Sequence, residues 1–134
     1  MSGRIIQPEG WDTPSGYANG VLVEPGSRLL FVAGQVAWDE RKQLVGAGDF
    51  VAQFAQALAN VVAVVRAAGG EASDIARMLV MVTDKQAYLE CLPELGAAWR
   101  EQMGRHFPAM ALVQVAGLVE EGALLEIEAT AAIR

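Results

Sequence analysis

Apolar positions along this chain fall into short alternating runs at its two ends and into helical stripes between them. Tyr17–Val23 and Leu29–Gln35 are short apolar runs separated by EPGS. The Pro25-Gly26 pair is turn chemistry, so the two runs predict a β-hairpin. Asp39–Asp49, DERKQLVGAGD, is polar and glycine-bearing and reads as a loop. In the segment from Asp49 to Gly70, Val51, Phe54, Leu58, Val61 and Val65 recur at steps of three and four residues. That spacing predicts an amphipathic helix, with the Asp49 carboxylate favourable at its N-terminus and Gly69-Gly70 as a left-handed stop.

Asp74–Asp84, DIARMLVMVTD, is continuously apolar at its centre and bounded by turn residues, the pattern of a buried strand. Tyr88, Leu92, Leu95, Trp99 and Met103 again keep helical steps, but Pro93 interrupts them. Proline is tolerated in a first helical turn and not in an interior, so a short turn over Lys85–Glu90 and a main helix starting near Pro93 are expected. Met110–Ala116 and Leu124–Ile133 close the chain as strands joined by GLVEEGA. The order ββαβαββ, with no repeat and no linker, describes one domain over residues 1–134. Its fold class is α+β, a two-layer sandwich with two helices on one face of a mixed sheet. The sheet's other face is left uncovered and is apolar enough to need a partner.

Composition narrows the chemistry. A 134-residue chain supports one core, and its apolar fraction of 53% is high for so small a protein, which points to subunit contacts. The net charge is −6 and no cationic cluster exceeds the ERK of Glu40–Lys42, so nucleic acid is disfavoured as a partner. The apolar run Ala57–Ala68 is interrupted by Asn60 and Arg66, so no membrane span is expected. The first residues lack the apolar core of a secretory signal, and a cytoplasmic location is expected. Cys91 is the single cysteine and no Cys/His cluster is present, so no metal site is expected. GAGD before the first helix lacks the lysine and the glycine spacing of a phosphate-binding loop.

Six fragments, in order, carry a resemblance: GYANGV, LLFVAGQV, QALANVVAVVRAAGG, VMVTD, FPA and LEIEATA. Together they resemble the Rid (YjgF/YER057c/UK114) family over nearly the whole chain. The resemblance implies a chorismate-mutase-like (YjgF-like) subunit, a homotrimer with three intersubunit clefts, and cofactor-independent hydrolysis of reactive enamines and imines such as 2-aminoacrylate.

It also assigns residues. The family's carboxylate-anchoring arginine directly follows the PA of FPA, and Met110 stands there in this chain. A frequent serine before GQ is Ala33, an asparagine of the pocket corresponds to Pro93, and a cysteine two residues beyond the arginine is Leu112. Tyr17, Gly34, Gln35 and the carboxylate Glu126 keep the pattern. Glu126 is the residue the family uses to hold or activate the attacking water, work that suits a carboxylate in a desolvated cleft. The substrate-binding set is thus Tyr17, Ala33, Gly34, Pro93, Met110 and Leu112, with Glu126 catalytic.

Each assignment has a plainer counterpart. Met110 can be interface packing, since methionine fills irregular apolar gaps, or part of a pocket reshaped for an uncharged ligand. Glu126 can be an ordinary solvated carboxylate, and Glu128, two residues along the same face, can be the exposed member of the pair or act beside it. Tyr17 can be filler with a satisfied hydroxyl. His106 follows a helix end and reads as a cap, Cys91 as a buried spectator, and Trp99 as core. Trp11 and Trp38 lie in loop-like surroundings and can line a cleft. Two functions compete: a divergent imine or enamine hydrolase, for which 2-aminoacrylate is a poor substrate, and a non-enzymatic trimer that binds a small apolar metabolite. RNA cleavage is the weakest alternative on charge.

Overall fold

The strand that organises the molecule is the last one. In Leu125–Ile133 (LEIEATAAI), Leu125, Ile127, Ala129 and Ala131 are buried, while Glu126, Glu128 and Thr130 alternate to the opposite face. A computed structural model describes residues 3–134. The strands are β1 (Gly3–Ile6), β2 (Gly20–Val23), β3 (Arg28–Gln35), β4 (Ile75–Val82), β5 (Ala109–Gln114) and β6 (Leu125–Ile133), and the helices are α1 (Phe50–Ala67), α2 (Lys85–Glu90) and α3 (Leu92–Met103). Four strands form one mixed sheet in the order β3-β6-β4-β5, in which only the β4–β5 pair is parallel. β1 and β2 form a separate antiparallel ribbon.

All three helices lie on one face of the four-stranded sheet. α1 buries Phe54, Leu58, Val61, Val62 and Val65 in one core with Met78, Val80, Leu125 and Ile127; Phe54, Leu58, Val61 and Val65 belong to the stripe its sequence spacing predicts, Val62 widens it, and Val51 is only half-buried. The Asp49 side chain accepts from the Ala52 N–H at 3.1 Å and so satisfies one free donor of the first turn. At the other end Gly69 takes φ 87°, and the Gly70 N–H reaches the Val65 carbonyl at 3.0 Å. α1 is the one described helix long and apolar enough to cross a bilayer, with a mean hydropathy of 1.5, and here its buried stripe is spent on the sheet.

Three α-helices are present among the described residues where two were expected. Lys85–Glu90 forms α2, capped by the Asp84 side chain on the Gln86 N–H, and Pro93 occupies the first turn of α3, where its missing N–H is harmless.

The expected hairpin does not form. β2 pairs with β1, and β3 pairs with β6 through Leu30↔Ala131 and Val32↔Ala129. Pro25 and Gly26 do make a turn, with Gly26 at φ 80°, but it carries the chain from the ribbon to the main sheet. Two causes act together. Leu30 and Val32 gain core contacts beside β6, and the four-residue strand β1, for which no strand was expected from the sequence, takes the β2 edge instead.

The sheet face away from the helices is open along β3 and β5 among the described residues. Leu29 and Phe31 on β3 are 56% and 74% exposed there, and Val113 on β5 is also exposed.

Candidate functional site

The parallel β4–β5 register decides which way Met110 points. Met78 is opposite Met110, Val80 opposite Leu112 and Val82 opposite Gln114. In-register neighbours share a face, and Met78, Val80 and Val82 are buried under the helices. Met110, Leu112 and Gln114 therefore point to the helix side. Gln114 uses its Oε1 to accept from the Lys85 N–H at 2.9 Å, which ties β5 to the start of α2.

Met110 and Leu112 line a groove of about 590 Å³ between β5 and the α2–α3 pair, within the size range of small-molecule sites. Tyr88 and Leu92 form its helix wall. Trp99 and Phe107, stacked with ring centroids 5.7 Å apart and planes 3° apart, form its end. The Trp99 indole N–H donates to the His106 carbonyl at 3.1 Å, which fixes the ring. Because β5 is an edge strand, Met110 also lines a second, shallower groove that contains Tyr17, Ala109 and Arg77.

Glu126 lies on the other face. It sits opposite Met81 and one residue out of phase with the buried Leu125 and Ile127. β3 and β6 slip register between Val32 and Gln35, and Gly34 falls in that slip. The Glu126 side chain occupies the space a side chain at Gly34 would need: a β-carbon there would stand 2.8 Å from Glu126 Cδ. The half-buried Glu126 carboxylate makes no hydrogen bond or ion pair among the described residues. Glu128 differs, with an oxygen 4.0 Å from Arg77 Nη1 in a largely exposed pair.

One protomer therefore brings Gly34 and Glu126 together, and separately Met110 and Leu112, but puts the two pairs on opposite faces of the sheet. Tyr17 is 42% exposed beside Met110, Ala33 is exposed on β3, and Pro93 is exposed in the first turn of α3. His106 is not a helix cap through its ring: Nε2 lies 2.6 Å from the Ile75 carbonyl at the start of β4. Cys91 is half-buried at the α2–α3 junction, Trp99 is core as expected, and Trp11 is 64% exposed.

Sequence reasoning passed over Arg100 and Arg105, both of which line the main groove. Tyr88, Leu92 and Trp99 were legible only as a core stripe, because helical spacing marks a buried face without separating its packed part from its open part.

Residues 12–133 match the family model described as endoribonuclease L-PSP. The chain belongs to this family, the Rid (YjgF/YER057c/UK114) family. Among its Rid relatives, the 3-aminoacrylate deaminase RutC of Acinetobacter baylyi is 31% identical over 131 residues, 98% of each chain. The human 2-iminobutanoate/2-iminopropanoate deaminase is 28% identical over 115 residues, 86% of this chain and 78% of that one. The crystal structure of the Rid protein YyfB from Yersinia pestis, of unknown function, matches with a TM-score of 0.87 and 34% identity over 99% of this chain and 100% of that one. The Rid fold of this chain is the α+β arrangement expected from its sequence.

Proposed function

We propose that this chain is a cofactor-independent hydrolase of small imines or enamines, acting as a homotrimer in the cytoplasm, with a substrate range shifted away from molecules held by a carboxylate next to the reacting carbon. The observation that carries the reading is the Glu126 carboxylate, half-buried over Gly34 and free of protein partners among the described residues. Such a group is available to take a proton from water. The deaminase names of the RutC and human relatives support the reaction class.

In the proposed reaction Glu126 removes a proton from water as the water oxygen bonds to the imine carbon, and the proton passes to the imine nitrogen. The resulting carbinolamine then transfers its hydroxyl proton to nitrogen, the C–N bond breaks, and ammonia and a carbonyl compound leave. The apolar residues Met110 and Leu112 offer no charge to fork onto an adjacent carboxylate, and Met110 cannot supply the paired N–H donors an arginine would. Assembly with a second copy over the exposed sheet face would cover Glu126 and set it against a neighbouring subunit. The alternative, a trimer that only binds an apolar metabolite, is favoured by the same apolar lining.

The two readings part on Glu126→Gln. The imine of a primary amine, generated in place by an amine oxidase, should release ammonia faster with wild-type protein than in buffer, and at the buffer rate with the variant. Equal rates for wild type and buffer would leave the binding protein.

A further inference from the structure

From the charge lining the main groove we infer that it takes a small amphipathic anion, an apolar body with one carboxylate far from the reacting end, and that Arg100 is the residue selecting that charge. The inference rests on the proposed function only for the reacting end of the substrate.

The chain carries a net charge of −6, yet the charged side chains lining this groove are Arg100 and Arg105, both cationic. No Asp or Glu lines it. Neither guanidinium has an ion pair or hydrogen bond among the described residues. A guanidinium that has no protein partner and borders an apolar wall is suited to a carboxylate, because the pairing is charge-assisted and can be bidentate.

Arg100 is singled out by Gly96, one helical turn before it. A β-carbon at Gly96 would lie 3.4 Å from Arg100 Nη1, so the guanidinium folds back along α3 over a residue with no side chain. Gly96 lines the groove too, and this places the cation at the groove wall while its stem covers the helix. Arg105 is shared with a neighbouring groove that holds Thr13 and His106, and its role is secondary. Met110 and Leu112 occupy the β5 side of the same space, and Trp99 and Phe107 offer a flat aromatic end. Met110 brings no charge from β5, and positive charge enters the groove from α3 instead. A ligand that satisfies both features is apolar where it meets Met110 and anionic where it meets Arg100.

The test is binding, which separates it from the failure of hydrolysis. Titrating the intact protein with 3-phenylpropanoate and with its neutral isostere 3-phenylpropanamide, by NMR or calorimetry, should show the acid bound about tenfold more tightly, as a charge-assisted contact provides. Arg100→Gln should remove that preference and leave amide affinity unchanged, Arg100→Lys should keep part of it, and Arg105→Gln should reduce it less than Arg100→Gln. An unchanged melting temperature shows that these exposed-site variants are folded. Equal affinity for acid and amide, no binding of either, or a preference that survives Arg100→Gln would overturn the inference. Tight, Arg100-dependent binding without any ammonia release would uphold it and sink the hydrolase reading instead.

Discussion

The carboxylate of Glu126 rests against the bare α-carbon of Gly34, at the point where the β3–β6 register slips. A β-carbon at Gly34 would stand 2.8 Å from Glu126 Cδ and 3.1 Å from Cγ. Gly34→Ala is therefore expected to push the carboxylate aside and lower kcat at least about tenfold, the scale of a misplaced general base. Because the clash meets the end of a flexible side chain, unfolding free energy should change by less than about 1 kcal/mol. Steady-state ammonia release and a urea titration on the same preparation check both halves. Full activity in a stable variant would remove Glu126 from the mechanism.

Met110→Arg puts a cation on the β5 side of the groove. Met110 is half-buried, packs against the core and shares its groove with two arginines. A third cation there gains like-charge repulsion and loses apolar packing. The variant should be about 1–3 kcal/mol less stable and gain no 2-aminoacrylate hydrolysis. A stable Met110→Arg protein with restored activity, lost again in combination with Glu126→Gln, would show that methionine merely silences an intact site.

Leu29 and Phe31 give the assembly its clearest handle. Both are large, exposed and on the uncovered face, where a second copy would bury them. Light scattering at micromolar concentration should return a trimer for the wild type and a smaller species for Phe31→Asp. A wild-type monomer would contradict the assembly.

Leu125 reports on the core that carries both faces. It is fully buried at the start of β6, one residue before Glu126. Leu125→Ala should cost about 2–5 kcal/mol by denaturant titration, the range for a buried leucine that leaves a cavity.

Most of the fold was legible because its elements are locally specified. The α1 stripe, the Asp49 cap, Gly69 and the placement of Pro93 each act within a turn of the chain, and the structure keeps them. Strand partners are not local, which is why the run ending at Val23 and the run from Leu29 read as a hairpin although their ladders go to β1 and β6. The candidate residues divide in the same way. Alternation places Glu126 opposite in phase to Leu125, and Met110 in phase with Leu112, from sequence alone. That these two sets occupy opposite faces follows only once the parallel β4–β5 register is known. Arg100 escaped notice because an arginine beside a core stripe is ordinarily solvated, and only the open groove with Gly96 beneath it gives the position meaning.

Glutamate-dependent hydrolysis of a substrate not held by an adjacent carboxylate can be measured outright. Its most direct measurement is the initial rate of ammonia release from two substrates in parallel, 2-aminoacrylate and an imine lacking a carboxylate next to its C=N bond, each read against buffer and against Glu126→Gln. Clear acceleration of the second substrate is expected, with little for the first and buffer rates for both with Glu126→Gln. Hydrolysis of 2-aminoacrylate at the rate of an arginine-bearing relative, or acceleration that persists in Glu126→Gln, would contradict it.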